Sequence, residues 1–429
     1  MRLSVAIPTR ERAEFLEPCL RTLAAVADSD LEIVVSDNAS TDKTRAVVEA
    51  ANDRRIRYVN TGRRVSQRQN FDFAIAATTG DYVMMIGDDD AVLAGQWPRL
   101  RAILAQHRPT ALSWPSVFYQ WPGLHKRGGG GRLRLSRAYL NGNVVIRTAQ
   151  QNLAALCQLV RSREDCSPKL YHGFLSRSVL EALKARTGAY LMSGQADAYI
   201  SAAAAAILPD YAYIRHPFSM LAMGPMSGGS AVAAQHRAAD RNITARLVAE
   251  EAERDPVLEP LAMPFPVLGF YLLNGLEQAN RHVFRGDLRL DYAAYFSMIL
   301  QQLEQVGIEA RQRGLDLMRS LAVELPQSGS LLAMLADCEG RLIGKRVPRS
   351  DWVKPSVVRF FESLSMIEPG RIGIDLKPRG LARVDGAARL ADFLIGSSES
   401  AVLDADQQAR LWHASLARAV RVIGLGYRP

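Results

Sequence analysis

The sequence predicts an α/β fold with a mainly parallel sheet for residues 1–235, followed by a mostly α-helical domain over residues 236–429. Short apolar runs alternate with segments of helical periodicity along residues 1–90, which is typical of a parallel sheet covered on both faces. From Gln235 onward most segments are helix-periodic and are punctuated by prolines. A chain of 429 residues has ample core for two such domains.

Four predicted strands share one signature, a run of apolar and partly β-branched residues: 3–7, 32–36, 56–59 and 82–86. The segments between them are predicted as helices: 11–27, about 40–51 and 67–77. Ser40 is a good N-cap for the second of these helices, and Asp42 suits its first turn. A proline at position 18 indicates a kink or a late start in the first helix.

The pattern is sparser beyond the fourth strand. A helix is predicted over 97–107, a strand over 111–114 and an Ala-rich helix over 198–207. The glycine-rich, basic stretch 123–135 lacks the ending of a phosphate-binding P-loop and is interpreted as a loop or hairpin. The second half is predicted to hold four helices, one strand and two further helices from residue 390: 244–254, 269–282, 292–306, 315–325, and the strand within 370–375.

Composition limits the class of function. The net charge of +9 fits an anionic partner, and no recognition motif favours nucleic acid. The four cysteines lack ligand spacing, which indicates a reducing compartment rather than a disulfide frame or a zinc site. No apolar run reaches membrane-spanning length and no signal peptide is visible, so we expect a cytoplasmic protein. Aromatic and basic residues near Trp352 permit peripheral membrane contact, although core packing fits them equally well.

Three adjacent carboxylates, Asp88, Asp89 and Asp90, follow the fourth predicted strand. Their partial burial is costly unless a cation neutralises them, and oxygen ligands suit Mg²⁺ or Mn²⁺. A solvated acidic turn is the alternative. Polar residues also follow the first two strands, and the carboxyl ends of parallel strands share one edge of a sheet. That convergence favours a metal site shared with a substrate phosphate.

Three stretches, SVAIPTRER, EIVVSDNASTDKT and GDYVMMIGDDDAVLAG, resemble in order and spacing the inverting family 2 glycosyltransferases of GT-A fold. The resemblance covers roughly residues 1–235. It implies a nucleoside-diphosphate sugar as donor and Mn²⁺ or Mg²⁺ on the diphosphate. It also implies a glycan or lipid-linked acceptor, as in surface polysaccharide biosynthesis.

The resemblance assigns donor-binding roles to several residues of the first two stretches. Pro8, Thr9 and Arg10 match the loop that meets the nucleotide. Asp37 matches the position that binds the base or ribose, and Asn38 is a further candidate there, although it could simply hold the loop. Arg68, in the third predicted helix, could contact the donor or be a solvated arginine.

The register of the acidic motif stays open on the sequence alone. Asp88 and Asp90 could form the outer pair of a DXD motif. Alternatively, Asp89 is the metal ligand and Asp88 binds the ribose, which would leave Asp90 a bystander. His216 is a further candidate metal ligand, with a structural role as the alternative.

Inverting transfer needs a general base for the acceptor hydroxyl. Asp197, at the start of the Ala-rich helix, is the candidate, and helix capping is the competing interpretation. The pair Glu164 and Asp165 is the second candidate. A nucleotidyltransferase acting on sugar phosphates is the alternative function, but the first loop lacks the glycines that such enzymes carry. The second domain is interpreted as a helical unit for acceptor binding, oligomerisation or membrane docking.

Overall fold

The protein is described by a computed structural model that defines residues 1–123, 131–136, 140–159, 167–224, 267–304, 306–325, 327–344, 371–376 and 382–423. The strands are β1 (Leu3–Thr9), β2 (Leu31–Asp37), β3 (Ile56–Asn60), β4 (Tyr82–Met85), β5 (Ala91–Val92), β6 (Ala111–Ser113), β7 (Val117–Gln120), β8 (Arg132–Ser136), β9 (Val144–Thr148), β10 (Gly173–Ser176), β11 (Asp210–Ile214), β12 (Ser219–Met223) and β13 (Arg371–Asp375). The helices are α1 (Ala13–Ala24), α2 (Thr44–Ala50), α3 (Gln67–Ala76), α4 (Trp97–His107), α5 (Ala149–Cys157), α6 (Arg177–Thr187), α7 (Ala196–Ala205), α8 (Leu268–Ala279), α9 (Tyr292–Leu303), α10 (Ile308–Val323), α11 (Ser328–Gly344), α12 (Val384–Ile395) and α13 (Ala405–Ile423).

A mixed sheet of mainly parallel strands forms the centre of the N-terminal half. Within the described residues its order is β3-β2-β1-β4-β10-β6-β11-β9. The first four of these strands are mutually parallel, as predicted, and β10 is the first antiparallel member. The apolar runs of β1, β2 and β4 are buried because helices cover the sheet. The predicted α/β fold class is therefore confirmed.

The second helix begins later than predicted, and Ser40 is not its cap. The helix starts at Thr44, whose backbone N–H donates to Oδ1 of Asp42 at 2.9 Å. Ser40 instead accepts a hydrogen bond from the N–H of Glu11 at 2.8 Å, and its own N–H donates to Asp37. These bonds hold residues 37–42 as a loop against the start of α1, so the helix cannot begin at residue 41.

A second sheet combines four strands of the N-terminal half with β13 of the C-terminal half. Its order in the described residues is β13-β8-β7-β12-β5, with β13 antiparallel to β8. Helix α12 buries an apolar face in the same core, and Asp392 on that helix accepts hydrogen bonds from Gly95 and Gln96. Residues 371–376 and 382–395 therefore pack with the N-terminal half, and the division at residue 235 stays a prediction for the rest of the chain.

Helices α8 to α11 of the C-terminal half share one core with α7, whereas α13 packs against α12. Helix α8 lies so close to α7 that a Cβ on Gly275 would stand 2.6 Å from Cβ of Ala198. Helices α9, α10 and α11 extend the same core, which confirms a largely helical C-terminal region. The predicted helix over 244–254 and the residues near Trp352 lie outside the described residues. No helix in the described part of the chain is both long and apolar enough to span a membrane.

Candidate active site

The acidic loop, residues 87–90, leaves β4 at the edge of the sheet where β1 also ends. Strand β1 lies beside β4 in parallel register, with Leu3 opposite Tyr82. The hydroxyl of Thr9, the last residue of β1, donates to Oδ2 of Asp88 at 2.6 Å. The predicted convergence of the first and third polar stretches on one edge is therefore present in the structure.

Arg12 is the cation that faces this loop. Its Nε lies 3.0 Å from Oδ1 of Asp88, and its Nη2 lies 2.9 Å from Oδ2 of Asp89. The guanidinium stacks over the ring of Phe15, 5.1 Å from the ring centroid. Phe15 packs edge-on against Trp121, whose indole N–H donates to the backbone oxygen of Asp89 at 3.0 Å. The guanidinium of Arg12 is thus held between the Phe15 ring and the carboxylates of Asp88 and Asp89.

Asp90 is completely buried and holds the loop to two other elements. Its Oδ1 accepts from the N–H of Ala222 at 2.7 Å, and its Oδ2 accepts from the N–H of Gly87 at 2.8 Å. Oδ2 also accepts from the hydroxyl of Tyr171 at 2.6 Å and lies 3.0 Å from Nε2 of His172. Both oxygens are therefore occupied by protein groups, as in a structural brace.

The electrostatics of the loop follow from three buried carboxylates beside the guanidinium of Arg12. Burial raises the pKa of Asp89 to about 7, although the Arg12 charge opposes that rise, and neighbouring Asp90 and Asp88 add to it. Burial also raises the pKa of Asp88 above its usual value. Burial alone would lower the pKa of Arg12, but the Asp88 and Asp89 carboxylates raise it above its ordinary value. The loop therefore favours further positive charge.

The polar residues that follow β2, Asp37 and Asn38, already form hydrogen bonds with other residues of the protein. Asp37 is buried, and its Oδ2 accepts from the hydroxyl of Tyr58 at 2.6 Å. Asn38 bonds both ways with the backbone of Val65, at 2.8 Å each. Asn70 of α3 contacts both strands: it accepts from the Ser36 hydroxyl of β2 at 2.7 Å, and its side-chain N–H donates to the Thr9 carbonyl of β1 at 3.5 Å. These side chains shape the edge of the site.

Arg68 and Asp197 are neighbours of one loop. Arg68 is buried, not solvated, and its Nη1 donates to the carbonyl of Leu191 at 2.8 Å. That loop leads into α7, where Asp197 is an exposed residue of an otherwise largely buried first turn. The Asp197 charge also acts on the hydroxyl of Tyr171, the partner of Asp90. Asp197 therefore lies near Tyr171, whose hydroxyl donates to the acidic loop at Asp90.

His216 lies between α4 and the loop before β9. Its Nδ1 accepts from the N–H of Asn141 at 3.1 Å, and its Nε2 lies 3.0 Å from Oε1 of Gln96. Burial lowers its pKa well below the ordinary value, and the charge of Arg99 adds to that effect. Both ring nitrogens have protein partners, so the structure supports a structural histidine. Its metal-binding role stays an untested prediction.

Other candidates have less distinctive surroundings. Pro8 is buried within β1, and Arg10 is half-buried directly after that strand. Glu164 and Asp165 lie outside the described residues. Among the described residues, no three His, Cys, Asp or Glu side chains are grouped as a ready-made metal site. Sequence reasoning missed Arg12, although three carboxylates in a row signal the need for a nearby cation.

Fold and site together define an α/β domain with an acidic loop at the carboxyl edge of its parallel strands. Residues 4–155 match the family model described as Glycosyl transferase family 2. The resemblance to that family is therefore confirmed for this part of the chain.

Several curated proteins match the same part of the chain. The GalNAc(5)-diNAcBac-PP-undecaprenol beta-1,3-glucosyltransferase of Campylobacter jejuni is 34% identical over 97 residues, which cover 22% of this chain and 31% of that protein. The validoxylamine A glucosyltransferase of Streptomyces hygroscopicus subsp. jinggangensis is 41% identical over 111 residues, which cover 24% of this chain and 25% of that protein. The chain therefore spans a third or less of the length of these relatives. Among solved structures, residues 1–349 of TarS from S. aureus with UDP-GlcNAc align over 80% of this chain and 92% of that one, at 15% identity and a TM-score of 0.45. That score is too low to support an inference about ligands.

Proposed function

We propose that the chain is a glycosyltransferase that moves a sugar from a nucleotide-sugar donor to a hydroxyl of a glycan or lipid-linked acceptor, with inversion. The observation that carries the proposal is the cluster of Thr9, Arg12, Asp88 and Asp89 at the carboxyl edge of β1 and β4. Ligands of open α/β sheets bind at that edge. The family match over residues 4–155 and the glucosyltransferase names of the relatives support the same reaction class.

The donor is proposed to lie along the ends of β1, β2 and β4. Pro8, Thr9 and Arg10 would line the nucleotide end, and Arg10 is the cation there that could bind a phosphate. Asp37 and Asn38 would form the far wall. Their oxygens already have protein donors, so we propose that they act mainly by shaping that wall. Arg68 would support the loop before Asp197 rather than touch the donor.

The acidic loop fits a divalent cation through one carboxylate. Within the described residues Oδ1 of Asp89 accepts no protein hydrogen bond, whereas both oxygens of Asp88 and of Asp90 are occupied. Asp89 is therefore the proposed ligand, in preference to Asp90 or His216. A bound Mn²⁺ or Mg²⁺ would supply Lewis-acid stabilisation of the leaving diphosphate. Asp88, held by Thr9 and Arg12, would then orient the loop toward the donor.

Asp197 is the proposed general base. Its carboxylate is exposed in the first turn of α7 and acts on Tyr171 beside the acidic loop. The acceptor oxygen would bond to the anomeric carbon while the bond to the diphosphate breaks, and Asp197 would take the hydroxyl proton. Such a base contributes about 10²–10⁴ to the rate. Asp197→Asn, which keeps a polar side chain of the same size, should lose that factor in transfer with an unchanged melting temperature.

Ligand-induced stabilisation tests the donor class directly. Nucleoside diphosphates should raise the melting temperature in the presence of Mn²⁺ and much less with EDTA, because a ligand that binds only the folded state stabilises it. A screen of uridine, guanosine, thymidine and cytidine diphosphates would also identify the base. Absence of any shift at millimolar concentrations, in all four and with either metal, would contradict the proposal.

A further inference from the structure

Arg12 occupies the position in the acidic loop that an external cation would compete for. The guanidinium makes two close ion pairs, to Asp88 and Asp89, and its Nε and Nη2 atoms are buried, as is Oδ2 of Asp89. No described Lys or Arg other than Arg12 makes an ion pair with these two carboxylates. The loop thus has a resident counter-cation before any ligand arrives.

We propose that Arg12 acts as an internal competitor of the divalent cation, so that the acidic loop binds metal poorly by itself and well only together with an anionic diphosphate. The inference rests on the proposed function, because it takes the donor diphosphate as the anion. It goes beyond that function because it concerns the order and coupling of binding.

Charge arithmetic gives the direction of the effect. A divalent cation at Oδ1 of Asp89 would lie close to a guanidinium already 2.9 Å from Oδ2 of the same carboxylate. Repulsion between a single and a double positive charge at such separations weakens binding about tenfold or more even at the dielectric of water. A diphosphate adds negative charge near both cations and removes much of that repulsion. Metal and nucleotide should therefore strengthen each other's binding.

The surroundings of Arg12 make it a competitor rather than a casual surface contact. The ring of Phe15 lies against the guanidinium, and Trp121 holds Phe15 while bonding the backbone of Asp89. Phe15 and Trp121 therefore restrict movement of the Arg12 side chain away from the carboxylates. Among the described glutamates and aspartates, only Asp88 and Asp89 form close ion pairs with Arg12.

Calorimetric titration of the full chain with Mn²⁺ alone tests the inference without any transfer assay. Arg12→Met keeps an unbranched apolar side chain beside Phe15 but removes the charge, so Mn²⁺ affinity without nucleotide should rise about tenfold. Arg12→Lys keeps the charge and should stay near wild type. Arg45→Met, on the exposed α2 surface, removes the same net charge from a residue that pairs with Glu49 instead of the acidic loop, and should leave Mn²⁺ affinity near wild type.

The second arm measures coupling. In wild type, a saturating nucleoside diphosphate should increase Mn²⁺ affinity, and Arg12→Met should lose most of that increase because its metal affinity is already high. Unchanged or weaker Mn²⁺ binding in a folded Arg12→Met variant, with a wild-type melting temperature, would overturn the inference. If wild type binds nucleotide with metal yet Arg12→Met shows no gain, only the competitor role fails. If wild type binds neither, the proposed function fails as well.

Discussion

At the scale of single residues, three consecutive aspartates have three different surroundings. Asp88 is held by Thr9 and Arg12, Asp89 keeps one oxygen that accepts from no described residue, and Asp90 is buried among four hydrogen-bonding groups. Their chemistry is therefore decided by tertiary contacts. Residues of the same type next to each other in sequence serve as loop anchor, ligand candidate and brace.

Asp89→Asn and Asp90→Asn form a matched pair, because both remove one charge and keep the shape. Asp90→Asn points an amide N–H toward groups that donate to the native oxygens, so it should destabilise the fold by about 1–3 kcal/mol. Asp89→Asn relieves a desolvated charge and should keep or raise the melting temperature while abolishing metal-dependent nucleotide binding. Thermal melts and calorimetry on both variants measure these effects. Equal melting temperatures for the two variants would contradict the brace role of Asp90.

His216 predicts a loss of stability in acid. Its folded pKa lies well below its ordinary value of 6.5, because burial and Arg99 disfavour the imidazolium. Below pH 6.5 this histidine binds a proton in the unfolded chain but not in the folded chain. The free energy of unfolding therefore decreases as the pH falls, by up to about 1.4 kcal/mol per pH unit. His216→Gln keeps an acceptor and a donor but does not titrate. Its free energy of unfolding, measured by urea denaturation, should therefore drop less between pH 7 and pH 5 than that of wild type. Parallel pH profiles would refute this.

At the scale of elements, the helix that carries Asp197 is held by a close contact with α8. Gly275 of α8 has room for no Cβ, since an added carbon would meet Ala198 at 2.6 Å and the backbone nitrogen of Tyr199 at 2.9 Å. Helix α7 is Ala-rich and buried along most of its length, so the two helices approach with small residues on both sides. The orientation of the proposed base thus depends on the C-terminal half.

Gly275→Ala should therefore destabilise the protein although alanine is the better helix former. Overpacking of this kind costs about 1–3 kcal/mol. Gly340→Ala in α11 is the control, because Gly340 is exposed and no atom lies within 4 Å of the added Cβ. That substitution should stabilise by about 0.5–1 kcal/mol through helix propensity alone. Chemical denaturation of both variants decides it, and a stabilised Gly275→Ala would disprove the close contact.

Sequence predicted most elements of residues 1–107 well because their signals are local. The strands at 3–7, 32–36, 56–59 and 82–86 appear within one to two residues of their predicted bounds, and α4 spans 97–107 as predicted. Apolar periodicity needs no knowledge of distant contacts. Helix α11 was missed, although Leu331, Leu335 and Leu342 are buried at helical spacing.

The site was harder to predict because its organisation is nonlocal. Asp90 is fixed by residues 81 to 132 positions away, namely Tyr171, His172 and Ala222, so no local pattern could separate it from Asp89. Arg12 carries no motif of its own and gains its role only when β1 and β4 lie side by side. Ser40 was misassigned as a cap for the same reason, since its partner Glu11 lies in another loop.

At the scale of the whole molecule, the C-terminal half completes the core beneath the acidic loop. One apolar cluster joins Phe15 and Trp121, which support Arg12, to the buried face of α12, including Val384 and Leu394. Another joins α7 to helices α8–α11. The two predicted domains therefore share both of these cores, and we expect the described parts to unfold together.

Leu394→Ala tests whether the two halves unfold together, with Phe393→Ala as the control. Leu394 is fully buried and its truncation should cost about 2–5 kcal/mol, whereas Phe393 is 52% exposed and Phe393→Ala should cost little. If the halves unfold as one unit, calorimetry of Leu394→Ala should show a single transition moved to lower temperature. It should also weaken nucleotide binding at temperatures near that transition, because Phe15 and Trp121 lose their support. Two transitions, with only one of them moved, would instead mean that the C-terminal half melts alone.

A chain of residues 1–235 gives the strongest version of this test. It lacks β13, so the edge of β8 loses its partner strand, and it lacks the α12 face that covers Phe15 and Trp121. Unpaired strand edges and uncovered apolar faces favour aggregation. We expect the shortened chain to show no cooperative melt by circular dichroism and to elute as aggregate in size-exclusion chromatography. A monomer with the melting temperature and Mn²⁺-dependent nucleotide binding of the full chain would mean that the acidic loop needs no C-terminal support. The proposed metal–donor site would then be carried entirely by the first half.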